Sequence, residues 1–159
     1  MAYSVLKLIH IISVVIFLSN ITTGLFWALR AHNSKDFNKI SSTFQNITKS
    51  DNLFTVPSII VITASGVFAA INGSFPLLRT GWIFWPIILF TLSGIIFTIY
   101  VAPLQVKIRK FTSEKEYNET NWQEYETLFK RWESWGLLAL ITPYAALAIM
   151  ILKPGIPGM

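Results

Sequence analysis

Along the chain the apolar positions gather into four runs, each near the roughly 20 residues needed to cross a hydrocarbon core about 30 Å thick. They predict spans over about Tyr3 to Leu29, Leu53 to Asn72, Gly81 to Val106 and Trp135 to Leu152. The first run is too long for a cleaved secretory signal, and Lys7 sits inside its start. Ser50 and Asp51 read as N-cap residues of the second span, with Pro57 in or near its first turn and Gly73 and Pro76 marking the turn that follows. Pro86 and Pro103 fall within the third span, where membrane helices tolerate prolines as kinks. The fourth ends sharply before Lys153, Pro154 and Gly155.

The two long connectors are amphipathic. Phe37, Ile40, Phe44 and Ile47 recur at intervals of three and four among Lys39, Gln45 and Asn46, which predicts a helix lying on the membrane surface. In the other connector Trp122, Tyr125, Phe129 and Trp132 keep that spacing behind a cap-like Asn121 and Glu124, and Glu126 with Lys130 makes an i,i+4 pair. Span four should therefore begin as a helical extension below the bilayer. The predicted fold class is all-α: one integral membrane four-helix bundle filling a single domain, residues 1–159.

Composition agrees. The chain has 159 residues, is 53% hydrophobic and only 13% charged, against about 25% charged in soluble domains, which leaves too little polar surface to cover a globule. The absence of cysteine excludes disulfides, thiolate-held zinc, iron–sulfur clusters and Cys nucleophiles. A net charge of +5 would suggest nucleic acid in a soluble protein, but topology explains it better. Arg30, Lys35, Lys39, Lys49, Lys107, Arg109, Lys110, Lys115, Lys130 and Arg131 flank one side of the spans, and only Lys7, Arg79 and Lys153 the other. The bias of Lys and Arg toward the cytoplasm then puts both termini outside and both long connectors inside, with no nucleic-acid partner.

Chemistry concentrates on the first span. His10, Ser13, Phe17, Asn20, Gly24 and Trp27 share one helical face, polar or small where the remainder is Ile, Val and Leu, and lipid would not accept it. His10 is the ionisable residue well inside a span, and such residues are functional-site candidates. Two readings are open: a neutral imidazole bonded to a neighbouring helix, or an axial ligand to haem b. Similar depth falls near Gly66, Ile88 and Ala145; Gly66 would make room for a flat macrocycle, or would simply allow tight helix packing. Lys7, Arg79 and Lys153 could pair with haem propionates, or serve as interfacial anchors. His32 is roughly 33 Å from His10 along a helix, so the two cannot hold one iron; Met150, Tyr144 or five-coordinate iron remain open.

The segments LKLIHII (Leu6 to Ile12), Gly81 with Trp82, LFKRWE (Leu128 to Glu133) and ILKP (Ile151 to Pro154) resemble a bacterial family of four-helix membrane proteins similar to the HemJ-type protoporphyrinogen oxidases and the CopD copper-resistance domain. The resemblance implies a bacterial inner (cytoplasmic) membrane and a haem-binding or redox role, with His10 matching the haem-linked histidine of the opening helix. It stops short of protoporphyrinogen oxidation, because span three has no histidine and no lysine before Lys107. Copper transport is disfavoured too: soft Cu(I) prefers thiolate and thioether, and only Met1, Met150 and Met159 offer sulfur.

The reading that results is a membrane haem-b redox or electron-transfer protein with His10 as axial ligand, in contact with lipid and with a second copy or a membrane redox partner. The alternative is a cofactor-free structural or assembly subunit. A small-solute carrier has less in its favour, since the spans lack paired broken helices of the transporter kind.

Overall fold

The computed structural model describes residues 2–158; Met1 and Met159, at the edges of the predicted domain, lie outside the described residues. Six α-helices occur among them: α1 (Ala2–Asn33), α2 (Phe37–Ser50), α3 (Val56–Asn72), α4 (Gly81–Ile96), α5 (Ala102–Glu114) and α6 (Glu119–Leu152). Five-residue π-helical turns, Asp51–Thr55 and Phe97–Val101, join α2 to α3 and α4 to α5 without a break. The chain is thus four long helices, Ala2–Asn33, Phe37–Asn72, Gly81–Glu114 and Glu119–Leu152, each long and apolar enough to cross a membrane. No strand is present among the described residues.

The helices run well past the predicted spans. The second starts at Asp36, whose side chain accepts from the Asn38 and Lys39 amides, so Ser50 and Asp51 are mid-helix residues and cap nothing. The fourth is capped by Asn118, which accepts from the Asn121 amide at 2.8 Å; Asn121 itself is inside the helix. Glu126 and Lys130 do pair, at 3.4 Å. At the far end Lys153 closes α6 in the left-handed region, φ 44° and ψ 54°, as the Lys-Pro-Gly stop requires.

Both π-turns have a proline as their cause. Pro57 and Pro103 have no N–H to give the residue four before them, and their rings crowd that carbonyl. The chain slips by one residue instead, so that Val56 N–H reaches the Asp51 carbonyl and Ala102 N–H the Phe97 carbonyl.

In the membrane region α1 packs chiefly on α3 and α4 on α6, and the backbone of α3 stays farther from α4 and α6. The two pairs meet at a small cluster of Phe17, Leu18 and Ile62, joined by Phe90 edge-on to Phe17 at 5.4 Å. At the other end, which carries the long connectors and most of the charge, α2 packs on α5 and against α1. There Phe37, Ile40, Phe44 and Ile47 are buried with Ile108, Tyr125, Leu128, Phe129 and Trp132 in one core. The apolar stripe of α2 is therefore covered by protein, and α2 continues into α3 instead of lying flat on a bilayer. His32 belongs to this core, stacked on Phe129 at 4.1 Å and hydrogen-bonded to the Tyr125 hydroxyl at 3.1 Å.

At the terminal end the last residues fold back on the α3–α4 turn. Trp85 Nε1 donates to the Pro157 carbonyl at 3.0 Å, and Lys153 Nζ lies 4.7 Å above the Trp82 ring. A side chain on Gly81 would strike the Ile156 carbonyl, so glycine is what admits the tail.

Candidate functional site

The polar stripe of α1 meets two separate partners. Toward the chain termini, His10 faces α3. His10 Nδ1 lies 2.9 Å from the Ile62 carbonyl oxygen, and a carbonyl only accepts, so Nδ1 carries the proton and Nε2 the free lone pair. The ring rests on Gly66: a Cβ there would come within 3.0 Å of Cε1 and 3.1 Å of Nδ1. Sequence reasoning paired these two residues by depth alone, and the structure does bring them together. The space that Gly66 leaves is taken by the imidazole itself.

The three cations assigned to the same region are dispersed. Lys7 is exposed on α1 one turn before His10, Arg79 is exposed in the α3–α4 turn, and Lys153 is held over Trp82. The four ion pairs among the described residues all lie at the opposite end and include none of them. Tyr144 is engaged elsewhere, its hydroxyl 3.0 Å from that of Thr22. Trp27, grouped with the inward stripe by spacing, is 51% exposed.

Nearer the long connectors, Gly24 faces Ile47 of α2 and Asn20 faces the first π-turn, and here lies a cluster that sequence reasoning missed. Asp51 is 7% exposed. Its Oδ1 accepts from Asn20 Nδ2 at 3.2 Å and from Thr55 Oγ1 at 2.9 Å, while Oδ2 accepts from Gln105 Nε2 at 3.3 Å. Asn20 Nδ2 also donates to Thr55 Oγ1 at 2.8 Å, and the Ser50 hydroxyl donates to Asn20 Oδ1. Gln105 lies one turn beyond the second π-turn, so the Asp51–Gln105 contact ties the two proline-distorted helices together at one level. The matched helix irregularities absent from the sequence reading are these turns.

A signal for Asp51 was present. The stripe Phe37, Ile40, Phe44 and Ile47 continues at the same spacing through Asp51, Thr55, Ser58, Ile62, Ser65 and Ala69, and all ten are buried. Reading Asp51 as a helix start cut that stripe in two.

Asp51 lines two cavities. One, about 250 Å³, lies between the helix pairs, walled mainly by Phe17, Ile21, Phe90, Phe97 and Leu140, with Asp51, Thr55, Thr63, Thr91, Ser93 and Gln105 as its polar lining. The other, about 350 Å³, is lined by Asn20, Trp27, Thr43, Asn46 and Ser50 on the opposite side of the carboxylate. His10 lines neither. Trp132, 3% exposed, lies in the wall of the first, and its indole N–H has no acceptor.

Comparison with known proteins gives one match. A family model described as "Predicted integral membrane protein (DUF2269)" matches residues 4–154. No curated protein and no solved structure matches.

Proposed function

The chain belongs to the DUF2269 family of integral membrane proteins, and from that membrane setting we propose that it is a b-type haem-binding redox or electron-transfer protein with His10 as axial ligand. The observation that carries this reading is the hydrogen bond from His10 Nδ1 to the Ile62 carbonyl. Metal-bound histidines as a rule donate their other ring N–H to a carbonyl or carboxylate, which fixes the tautomer and aims the lone pair at the metal. His10 offers Nε2 in that manner, on a face where the resemblance of Leu6 to Ile12 to HemJ-type proteins implies it.

Haem would supply a one-electron redox centre. The chain's own contribution is to orient the imidazole through Ile62, to admit it beside α3 through Gly66, and to offer Lys7, Arg79 and Lys153 as cations toward propionates. Those three stand where the sequence has no carboxylate: all eight Asp and Glu residues lie from Asp36 to Asp51 or from Glu114 to Glu133. Further parts of the proposal are a bacterial cytoplasmic membrane, both termini outside, and a second copy or a membrane redox protein as partner.

A second reading, a cofactor-free structural or assembly subunit, is favoured by one observation: the imidazole fills the space above Gly66, as an ordinary interhelical contact would. The visible spectrum separates the two. Protein produced with ample haem and purified in detergent should show a Soret band that His10→Ala loses. A colourless wild type leaves the scaffold, and a band that survives in His10→Ala rules out this ligand. Orientation is tested by labelling cysteines introduced at Ser42 and Ser74 in intact cells; labelling of Ser42→Cys from outside reverses the topology.

A further inference from the structure

A second site stands apart from His10 and does not depend on haem. We propose that the cavity between the two helix pairs binds a small, membrane-soluble organic monocation of the aryl- or alkyl-amine class, with Asp51 as its counter-charge.

The first ground is an electrostatic imbalance. Asp51 is buried beside apolar spans, yet its three hydrogen-bond donors, Asn20, Thr55 and Gln105, are all neutral, and none of the ion pairs among the described residues reaches it. A carboxylate removed from water is costly unless a proton or a cation neutralises it, and ionisable groups at membrane depth commonly mark ligand or ion sites. A ligand's ammonium group would supply the missing charge.

The second ground is shape and chemistry. At about 250 Å³ the cavity falls just below the range of about 300–1,000 Å³ typical of ligand pockets, so its occupant is a single ring or a short chain. Aromatic and aliphatic side chains form most of the wall, and Asp51 is the one carboxylate among the lining residues, so a cationic head has a single anionic partner there. Aromatic faces such as Phe97 also suit a cation that is partly desolvated.

The third ground is access. Thr63 on α3 and Thr91 on α4 both line the cavity and are both exposed, and the backbones of α3 and α4 do not approach closely. An opening at these two residues would give on to the bilayer, which is where a lipophilic amine concentrates. Space for the ligand is kept by Gly94 and Gly136, around whose notional Cβ atoms nothing lies within 4 Å.

The test uses the full chain in nanodiscs, titrated with 4-phenylbutylamine and with its neutral counterpart 4-phenylbutanol, and reads the quenching of tryptophan emission. Wild type should bind the amine saturably and at least tenfold more tightly than the alcohol. Asp51→Asn should erase that preference, and Gly94→Leu, which fills the free space, should abolish binding of both. Equal affinity for amine and alcohol in wild type, or a preference that survives in Asp51→Asn, removes the counter-charge role. Should Asp51→Asn not fold, Gly94→Leu decides: unchanged amine binding by this variant, with wild-type helicity by circular dichroism, places the amine elsewhere and overturns the proposal. The absence of saturable binding by folded wild type does the same.

Discussion

The two ends of this bundle are held by different physics. At the basic end Phe44, Ile40, Ile108 and Tyr125 are wholly buried in a continuous aromatic and aliphatic core, while Lys and Glu side chains face outward. That is the arrangement of a water-soluble helix bundle, driven by removal of apolar surface from water. In the membrane region the buried cluster shrinks to Phe17, Leu18 and Ile62, and the outer faces show Ile12, Val15, Ile60 and Ile95. Lipid is as apolar as those side chains, so association there relies on close packing and on hydrogen bonds such as His10 to Ile62 and Ser93 to Ala139. The polar cluster around Asp51 lies where the two regimes meet, and both cavities border it.

This contrast breaks most directly at the aromatic core. Phe44→Ala should cost about 3–5 kcal/mol, as large-to-small changes of fully buried aromatics do. Phe17→Ala, in the membrane cluster, should cost less than half as much, because acyl chains can replace part of the lost contact. Unfolding in mixed micelles followed by helical circular dichroism compares them, and equal losses would refute the division. At the junction, Asp51→Ala leaves the Thr55 hydroxyl and the Gln105 amide without their acceptor and should lose about 1–3 kcal/mol. Asp51→Asn, which keeps one acceptor oxygen, should lose less by the same assay.

Smaller still is the membrane hydrogen bond. His10→Ala should lose about 0.6 kcal/mol and no more than about 1.7, the range measured for interhelical bonds in a bilayer. Gly66→Ala pushes on the same ring, so the double variant should lose less than the two single losses combined; simple additivity would mean that the ring does not rest there. The smallest change expected is at the exposed Glu126–Lys130 pair, where Glu126→Gln should shift stability by about 0.3–0.5 kcal/mol, and less in high salt.

Much of the architecture was legible because both solvents leave a periodic trace. Runs of apolar residues gave the membrane crossings, and three-four spacing gave α2 and the start of α6. The boundaries were harder. Ser50, Asp51 and Pro57 have the chemistry of a helix start, yet the chain continues through them, because a π-turn absorbs the proline and Asn20, Thr55 and Gln105 satisfy the carboxylate. Those partners come from three different places in the chain, and no local pattern announces a contact across 54 residues such as that between Asp51 and Gln105. For His10 the reverse holds: an imidazole on a stripe of small and polar residues was visible at once, and only the identity of its acceptor, Ile62, needed coordinates.

Helices of 32 to 36 residues are about 50 Å long at roughly 1.5 Å per residue, against a hydrocarbon layer of about 30 Å. Some 20 Å of each column must extend beyond the hydrocarbon layer, through the headgroups and into water, and the short links Ser34–Asp36 and Lys115–Asn118 are all that cap the end that carries the long connectors. An antibody or a soluble protein arriving from that compartment meets the flanks of a helical pillar, so its epitope is assembled from several helices and vanishes on denaturation.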